Sequence, residues 1–362
     1  MGALMLLIAT SVWGVLATAS KGPGTNGQRC PEPTKIEHGH MENRSMENEQ
    51  GEHIVHYHCD PYYRLRGPGN GLYQCNEMGL WVNHDAGAEP PVCEPVCGKP
   101  KNPPRQLQRI IGGHLSGKGL FPWQGRLVLP RNLVAGATLI SDRWVLTTAR
   151  NVYLGQKACV SPEDIAPTLQ LFLGSKGQLP TGTVERVVLH PSFNSTDCNS
   201  TCGSTSTSIT DLALLKLQHP VPLGPEVLPI CLAHKDFLEV GRVGYVAGWG
   251  RGTTLAFAER LRYIMLPVVD TSLCAEYYAG GSPLGVAPDL GPGTFCVGMS
   301  ELRGDTCHGD AGGAFAVHDP DDDTWYAAGI LTYDRTCSAA KFSFYASVQH
   351  ALAWIRRTMA ES

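Results

Sequence analysis

Thirteen cysteines in a chain of 362 residues constrain this protein more than any other feature. A reducing cytosol keeps thiols apart, so this many belong to a chain rich in bound metal or to an oxidised, secreted one. The second reading is adopted. The count is odd, so at least one thiol is free or bonded to another chain. Hydrophobic residues make up 43%, enough to build a core and too many for a disordered chain. The length allows two or three domains. Charged residues are 17%, below the usual ~25%, beside 41 glycines and 26 prolines. Frequent turns and few charges favour all-β architecture over helices. A net charge of −4 offers none of the basic excess of a nucleic-acid binder.

The first residues supply the address. Ala3 to Leu16 is an apolar run, followed by Ala17-Thr18-Ala19, the small-x-small pattern of a signal-peptidase site. Residues 1–19 are expected to be a signal peptide, although the usual basic start is missing. The run is too short for a membrane span, which takes ~20 apolar residues. Three sequons fit a secreted glycoprotein: Asn43-Arg44-Ser45, Asn194-Ser195-Thr196 and Asn199-Ser200-Thr201. The last two share a Ser/Thr-rich stretch expected to be an exposed loop.

Residues 28–95 are rich in His, Tyr, Pro and Gly and poor in aliphatic side chains, so they need staples more than core. Cys30, Cys59, Cys75 and Cys93 provide them, and Trp81 precedes the last. The alternating runs HIVHYHC and GLYQC predict strands. Four cysteines alone allow three pairings. The segment resembles a sushi (complement control protein) module. That resemblance implies the pairs Cys30–Cys75 and Cys59–Cys93 and a buried Trp. Glu42 to Glu52 reads as a polar loop insertion. His53, His56 and His58, with His38 and His40, form a cluster suited in principle to zinc or copper, and His56 and His58 share one strand face. With no acidic or thiol ligand committed nearby, it reads as a polar strand surface, and no metal or cofactor is expected.

Residues 96–109 form a polar, Pro-rich hinge, expected to be extended and open to proteases. From Ile110 to the end the chain alternates short β-like runs with Gly/Pro turns: LQLFLG, RVVLH, LALLKL, VGYVAGWG, RYIMLPVV and WYAAGILTY. One helical pattern, Val348 to Thr358, closes it. Five ordered motifs resemble the chymotrypsin-like proteases. Arg109-Ile110-Ile111-Gly112-Gly113 is similar to their activation junction, Trp144 to Arg150 to the segment of the catalytic His, and Asp211-Leu-Ala-Leu-Leu to that of the catalytic Asp. Gly309-Asp310-Ala311-Gly312-Gly313 is similar to the nucleophile loop, and Gly329 to Tyr333 to the substrate-backbone strand. The resemblance implies a double β-barrel with a C-terminal helix over residues 110–362, and cleavage between Arg109 and Ile110.

It also implies a degenerate triad of Arg150, Asp211 and Ala311. A methyl group cannot form an acyl-enzyme. A guanidinium stays protonated at neutral pH and cannot act as base. Asp211 then becomes a structural carboxylate, expected to pair with Arg150. Gly309 retains an oxyanion-type N–H, and Asp305 stands where trypsin-like enzymes select basic residues. Neither restores turnover, and neither His190 nor His308 replaces the missing groups. Asp310 matches the partner of the freed amine in active relatives. Asp319 to Asp323 reads as a solvated turn, since a row of carboxylates lacks the spaced ligands of a calcium loop.

Within this class the chain resembles the haptoglobin family. The resemblance is carried by Val96 to Pro103, Gly112 to Leu115, Phe121 to Gln124, Asp164 to Thr168, Glu239 to Arg251, Gly309 to Gly312 and Asp323 to Ala327. It implies a plasma protein that binds free hemoglobin as αβ dimers and limits heme-driven oxidation and iron loss. It implies a light chain and a heavy chain joined by Cys97–Cys231, with Cys274–Cys296 and Cys307–Cys337 as loop staples. Cys159, Cys198 and Cys202 remain. One bridge and one odd thiol are expected, or a direct Cys198–Cys202 link. Cys75 is present, so Cys30 is expected to be occupied internally and not to link protomers. The loop from Cys274 to Cys296 lacks the lysine-rich segment tied to uptake by a macrophage scavenger receptor, so that partner is not carried over. The alternative is a pseudoprotease that binds a different plasma or cell-surface partner.

Overall fold

A computed structural model describes residues 30–44, 53–104, 114–153, 160–174, 181–193, 211–249, 261–279, 291, 293–298, 310–333 and 342–361. The chain divides into two compact units, Met1–His58 with Leu65–Val92, and Cys59–Arg64 with Cys93–Ser362.

The smaller unit is built on a four-stranded sheet in the order Gly39–Arg44, Ile54–Cys59, Leu72–Cys75, Trp81–Val82. Alternation decides its faces: Val55, Tyr57 and Tyr73 are buried, with Ile36, Met41 and Trp81 packed on them. So few buried side chains, each contributing about 1.5–3 kcal/mol, make a small core. Cys30–Cys75 compensates. It closes a separation of 45 residues, which removes about 4 kcal/mol of unfolded-state entropy. Trp81 is only half-buried, at the edge of this core rather than enclosed by it, because its indole N–H reaches out to the Pro31 carbonyl at 2.9 Å. The polar run after Met41 is not all loop: Glu42, Asn43 and Arg44 continue the first strand.

The larger unit carries two barrels. One closes in the order Trp144–Thr147, Ala213–Leu217, Gly182–Leu189, Gln170–Phe172, Gln124–Leu129, Leu133–Leu139 and back to Trp144–Thr147. The other runs Thr324–Tyr333, Ala314–Asp319, Val243–Gly248, Arg262–Val269, Thr294–Gly298, Phe342–Ser347 and returns to Thr324–Tyr333. Leu127, Leu139, Leu171 and Leu215 are buried on one face of the first barrel's sheet and Leu146 and Leu214 on its other face, while Phe315, Val297, Leu331 and Tyr345 are buried together in the second. The closing helix, Val348–Ala360, starts at Ser347, whose hydroxyl accepts the His350 N–H at 3.3 Å. Val348, Ala351, Trp354, Ile355 and Thr358 make its buried stripe. His190 packs edge-on against Trp354 at 4.8 Å, a structural role.

Disulfides join Cys59–Cys93, Cys97–Cys231 and Cys274–Cys296 in this unit. The first part of the hinge is tied down rather than free. Beside Cys97–Cys231, the Gly98 N–H donates to the Pro229 carbonyl at 2.8 Å and its carbonyl accepts from Trp325 at 2.9 Å. Gly98 has φ +63°, and a Cβ there would meet the Trp325 carbonyl, so only glycine fits. Asp319 is not part of a solvated turn. It is buried, with Lys235 bonded to its carboxylate, while Asp321 to Asp323 stay exposed.

Candidate functional site

Strand register brings the first two site residues together. Thr147 pairs with Ala213 across adjacent antiparallel strands. Arg150, in the short helix Ala149–Tyr153 just beyond one strand, therefore meets Asp211, just before the other. The Arg150 N–H donates to Asp211 Oδ1 at 2.9 Å, and Nε donates to Oδ2 at 2.8 Å. Asp211 is 2% exposed. Burial pushes its carboxyl up, while the Arg150 guanidinium and the N–H groups of Arg150 and Ala149 pull against that. Arg150 thus makes two hydrogen bonds to the one buried carboxylate, one from its backbone N–H and one charge-assisted from its guanidinium.

Ala311 comes from the other barrel, in the turn leading into Ala314–Asp319. Its carbonyl accepts from Asn151 Nδ2 at 2.7 Å and from the Gly136 N–H at 2.8 Å. Gly312 has φ +99°, and a Cβ there would lie 2.0 Å from the Gly136 carbonyl. The Thr138 hydroxyl donates to the Gly312 carbonyl at 3.0 Å, and the Gly312 N–H donates to Leu331 at 2.8 Å. Asp310 is buried against Gly248, where any side chain would collide with its carboxylate. The turn is thus locked between the barrels, with a methyl group at its tip.

Arg150, Asp211 and Ala311 therefore converge, the last through the residue that follows Arg150. Asn151, Gly136, Thr138 and Thr147 also build the site and were not singled out from sequence. Asn151 carries no motif beyond adjacency to Arg150, and the others look like ordinary strand residues. Arg109, Ile110, Asn194, Asn199, Cys159, Cys198, Cys202, Asp305, Cys307, His308, Gly309 and Cys337 lie outside the described residues, as does the Asn43 side chain. Among the described residues no helix is long and apolar enough to cross a membrane.

Two barrels meeting at a tight Asp-Ala-Gly-Gly turn, in a chain that also carries a disulfide-stapled small module, define a sushi-linked trypsin-like protease homologue. Family models agree: the Trypsin model matches residues 110–355 and the Sushi repeat (SCR repeat) model matches residues 30–93. Haptoglobin of Bos taurus is 48% identical over 342 residues, covering 92% of this chain and 79% of that one. Haptoglobin of Pongo abelii is 44% identical over 374 residues, covering 100% of both. Haptoglobin of Homo sapiens is 45% identical over 342 residues, covering 92% of this chain and 78% of that one. The chain belongs to the haptoglobin family.

Proposed function

We propose that this protein is a secreted, non-catalytic member of its family that captures free hemoglobin as αβ dimers and so limits heme-driven oxidation and iron loss in plasma. The observation that carries the reading is identity of 44–48% with haptoglobins over nearly the whole chain. The site supports the absence of proteolysis. Arg150 stands in place of the catalytic His and Ala311 in place of the nucleophilic Ser. A protonated guanidinium held on Asp211 takes no proton, and a methyl group attacks no carbonyl.

Residues 1–19 are removed as a signal peptide, residues 28–95 form the light-chain module, and residues 96–109 are cut after Arg109. The heavy chain, residues 110–362, stays attached through Cys97–Cys231. Asn43, Asn194 and Asn199 are the glycan acceptors. Receptor-mediated uptake of the complex is not part of this reading.

Purified mature protein passed over immobilised hemoglobin and, in parallel, monomeric myoglobin tests the function. Binding to hemoglobin alone is expected, since the αβ dimer is the proposed target. Equal binding to both, or to neither, contradicts it. A second reading, a pseudoprotease for another plasma or cell-surface partner, is favoured by the Cys- and Ser/Thr-rich stretch Cys198 to Thr210. It is the reading left standing if neither globin binds.

A further inference from the structure

The four-stranded sheet of the smaller unit turns Val55 and Tyr57 inward, so His56 and His58 occupy its other face. The neighbouring strand Gly39–Arg44 presents His40 and Glu42 in the same two-residue alternation. The rings of His56 and His58 lie 3.8 Å apart, and His40 stacks on His58 at 5.6 Å. Glu42, which sequence reading had placed in a loop insertion, brings Oε2 to 3.4 Å from His58 Nε2. One ligand atom from each of Glu42, His56 and His58 lies within 4.8 Å of the other two.

Two independent features separate this cluster from an ordinary polar strand face. His56 Nδ1 and His58 Nε2 are shielded from solvent and make no hydrogen bond among the described residues, and His58 Nε2 has the 3.4 Å contact to Glu42 beside it. Buried polar atoms are normally satisfied, so His56 Nδ1 above all is expected to have something to bind. His56 also has the orientation of a ligand. Its Nε2 faces the Asn70 carbonyl at 3.2 Å. A carbonyl only accepts, so Nε2 carries the proton and, in the neutral ring, Nδ1 keeps its lone pair. A histidine held through one nitrogen by a carbonyl with the other left bare is the usual arrangement around bound zinc.

We propose that Glu42, His56 and His58 bind one divalent transition-metal ion of the zinc type. Imidazole nitrogens disfavour calcium and magnesium, and the lack of a thiol disfavours soft monovalent copper. Two histidines and one carboxylate are an established zinc set, with a water as fourth ligand. Tetrahedral zinc with bonds of about 2.0–2.1 Å sets its ligand atoms about 3.3 Å apart. The contact from His58 to Glu42 is already at that spacing, and Glu42 is exposed.

The test uses the full mature protein with its free thiols alkylated, which removes cysteine as a competing ligand. Cobalt(II) is the probe, followed by its visible absorption, and zinc(II) is then added as competitor. One equivalent of cobalt with the intense band of a tetrahedral ion, displaced by zinc, is expected. Glu42→Gln and His58→Asn should each weaken binding by about tenfold or more. Far-UV circular dichroism of each variant shows that the module is still folded, and Glu42 is exposed enough that its variant keeps the test decisive. No cobalt band with the parent protein overturns the proposal. So does binding that is unchanged in the His56→Asn/His58→Asn double variant, which assigns the metal elsewhere.

Discussion

Asp211 is buried, so the groups that balance its charge come mainly from the chain. Arg150 does so with a backbone N–H and a guanidinium. Asp211→Asn keeps the shape and removes the charge, leaving the guanidinium, only 21% exposed, without its counter-ion. Breaking such a pair costs about 3 kcal/mol. Chemical denaturation should show that loss in the variant, and an unchanged midpoint would mean the pair has no structural role. The chemistry of this site was legible in the letters, because Arg150 and Ala311 stand in motifs that leave little freedom of position. The support was not. Asn151 holds the Ala311 carbonyl from a position whose value depends on two barrels meeting, which is invisible along the sequence. Glu42 was misread for a related reason. A polar run reads as loop until a neighbouring strand gives its alternation a partner.

Strands formed where runs of β-branched, aromatic and aliphatic residues predicted them. RYIMLPVV became the strand Arg262–Val269, and WYAAGILTY became most of Thr324–Tyr333. The closing helix ran two residues beyond its predicted end, and of these Met359 still packs on the core. The start of the hinge is held more tightly than its letters suggest, for a physical reason. Proline and lysine say extended and polar, but a disulfide and the fitted Gly98 pin its first residues. The turn at Ala311 is as demanding. Gly312→Ala forces a side chain into a positive-φ position facing the Gly136 carbonyl, and should cost at least about 2 kcal/mol. A normal melting curve for that variant would show that the turn relaxes easily. The helix contact supplies a pH dependence. Burial, then the nearby His350, lowers His190 below the ordinary 6.5, and the Ser192 N–H donates to its Nδ1 at 3.2 Å. Above the ordinary value both folded and unfolded chains hold it neutral, and its contribution is complete. As pH falls through and below 6.5 the unfolded chain takes the proton first, so stability declines until the folded ring also protonates. The drop between neutral and mildly acid pH should be smaller in His190→Asn. Identical slopes for parent and variant would exclude His190 as its source.

At the scale of the whole molecule, one covalent bond decides what cleavage does. Cys97 and Cys231 span 134 residues and lie on opposite sides of Arg109. Protein cut after Arg109 should run as one species without reductant and as two with it. Separation without reductant would mean the bond is absent from the secreted form. A pair of barrels with Arg150 and Ala311 at the site suits the proposed role of holding another protein without digesting it. That fold was readable from five motifs in order, while the partner was readable only through family likeness, because loop contacts to a protein surface leave no chemical signature. The most direct test is therefore of the partner. Purified mature protein is mixed with free hemoglobin and passed through a size-exclusion column while the heme absorption band is followed. The account predicts that heme absorbance moves into a larger complex, that the complex survives moderate salt, and that the hemoglobin in it stays intact. Hemoglobin eluting unshifted at micromolar concentration, or eluting as fragments, would contradict it.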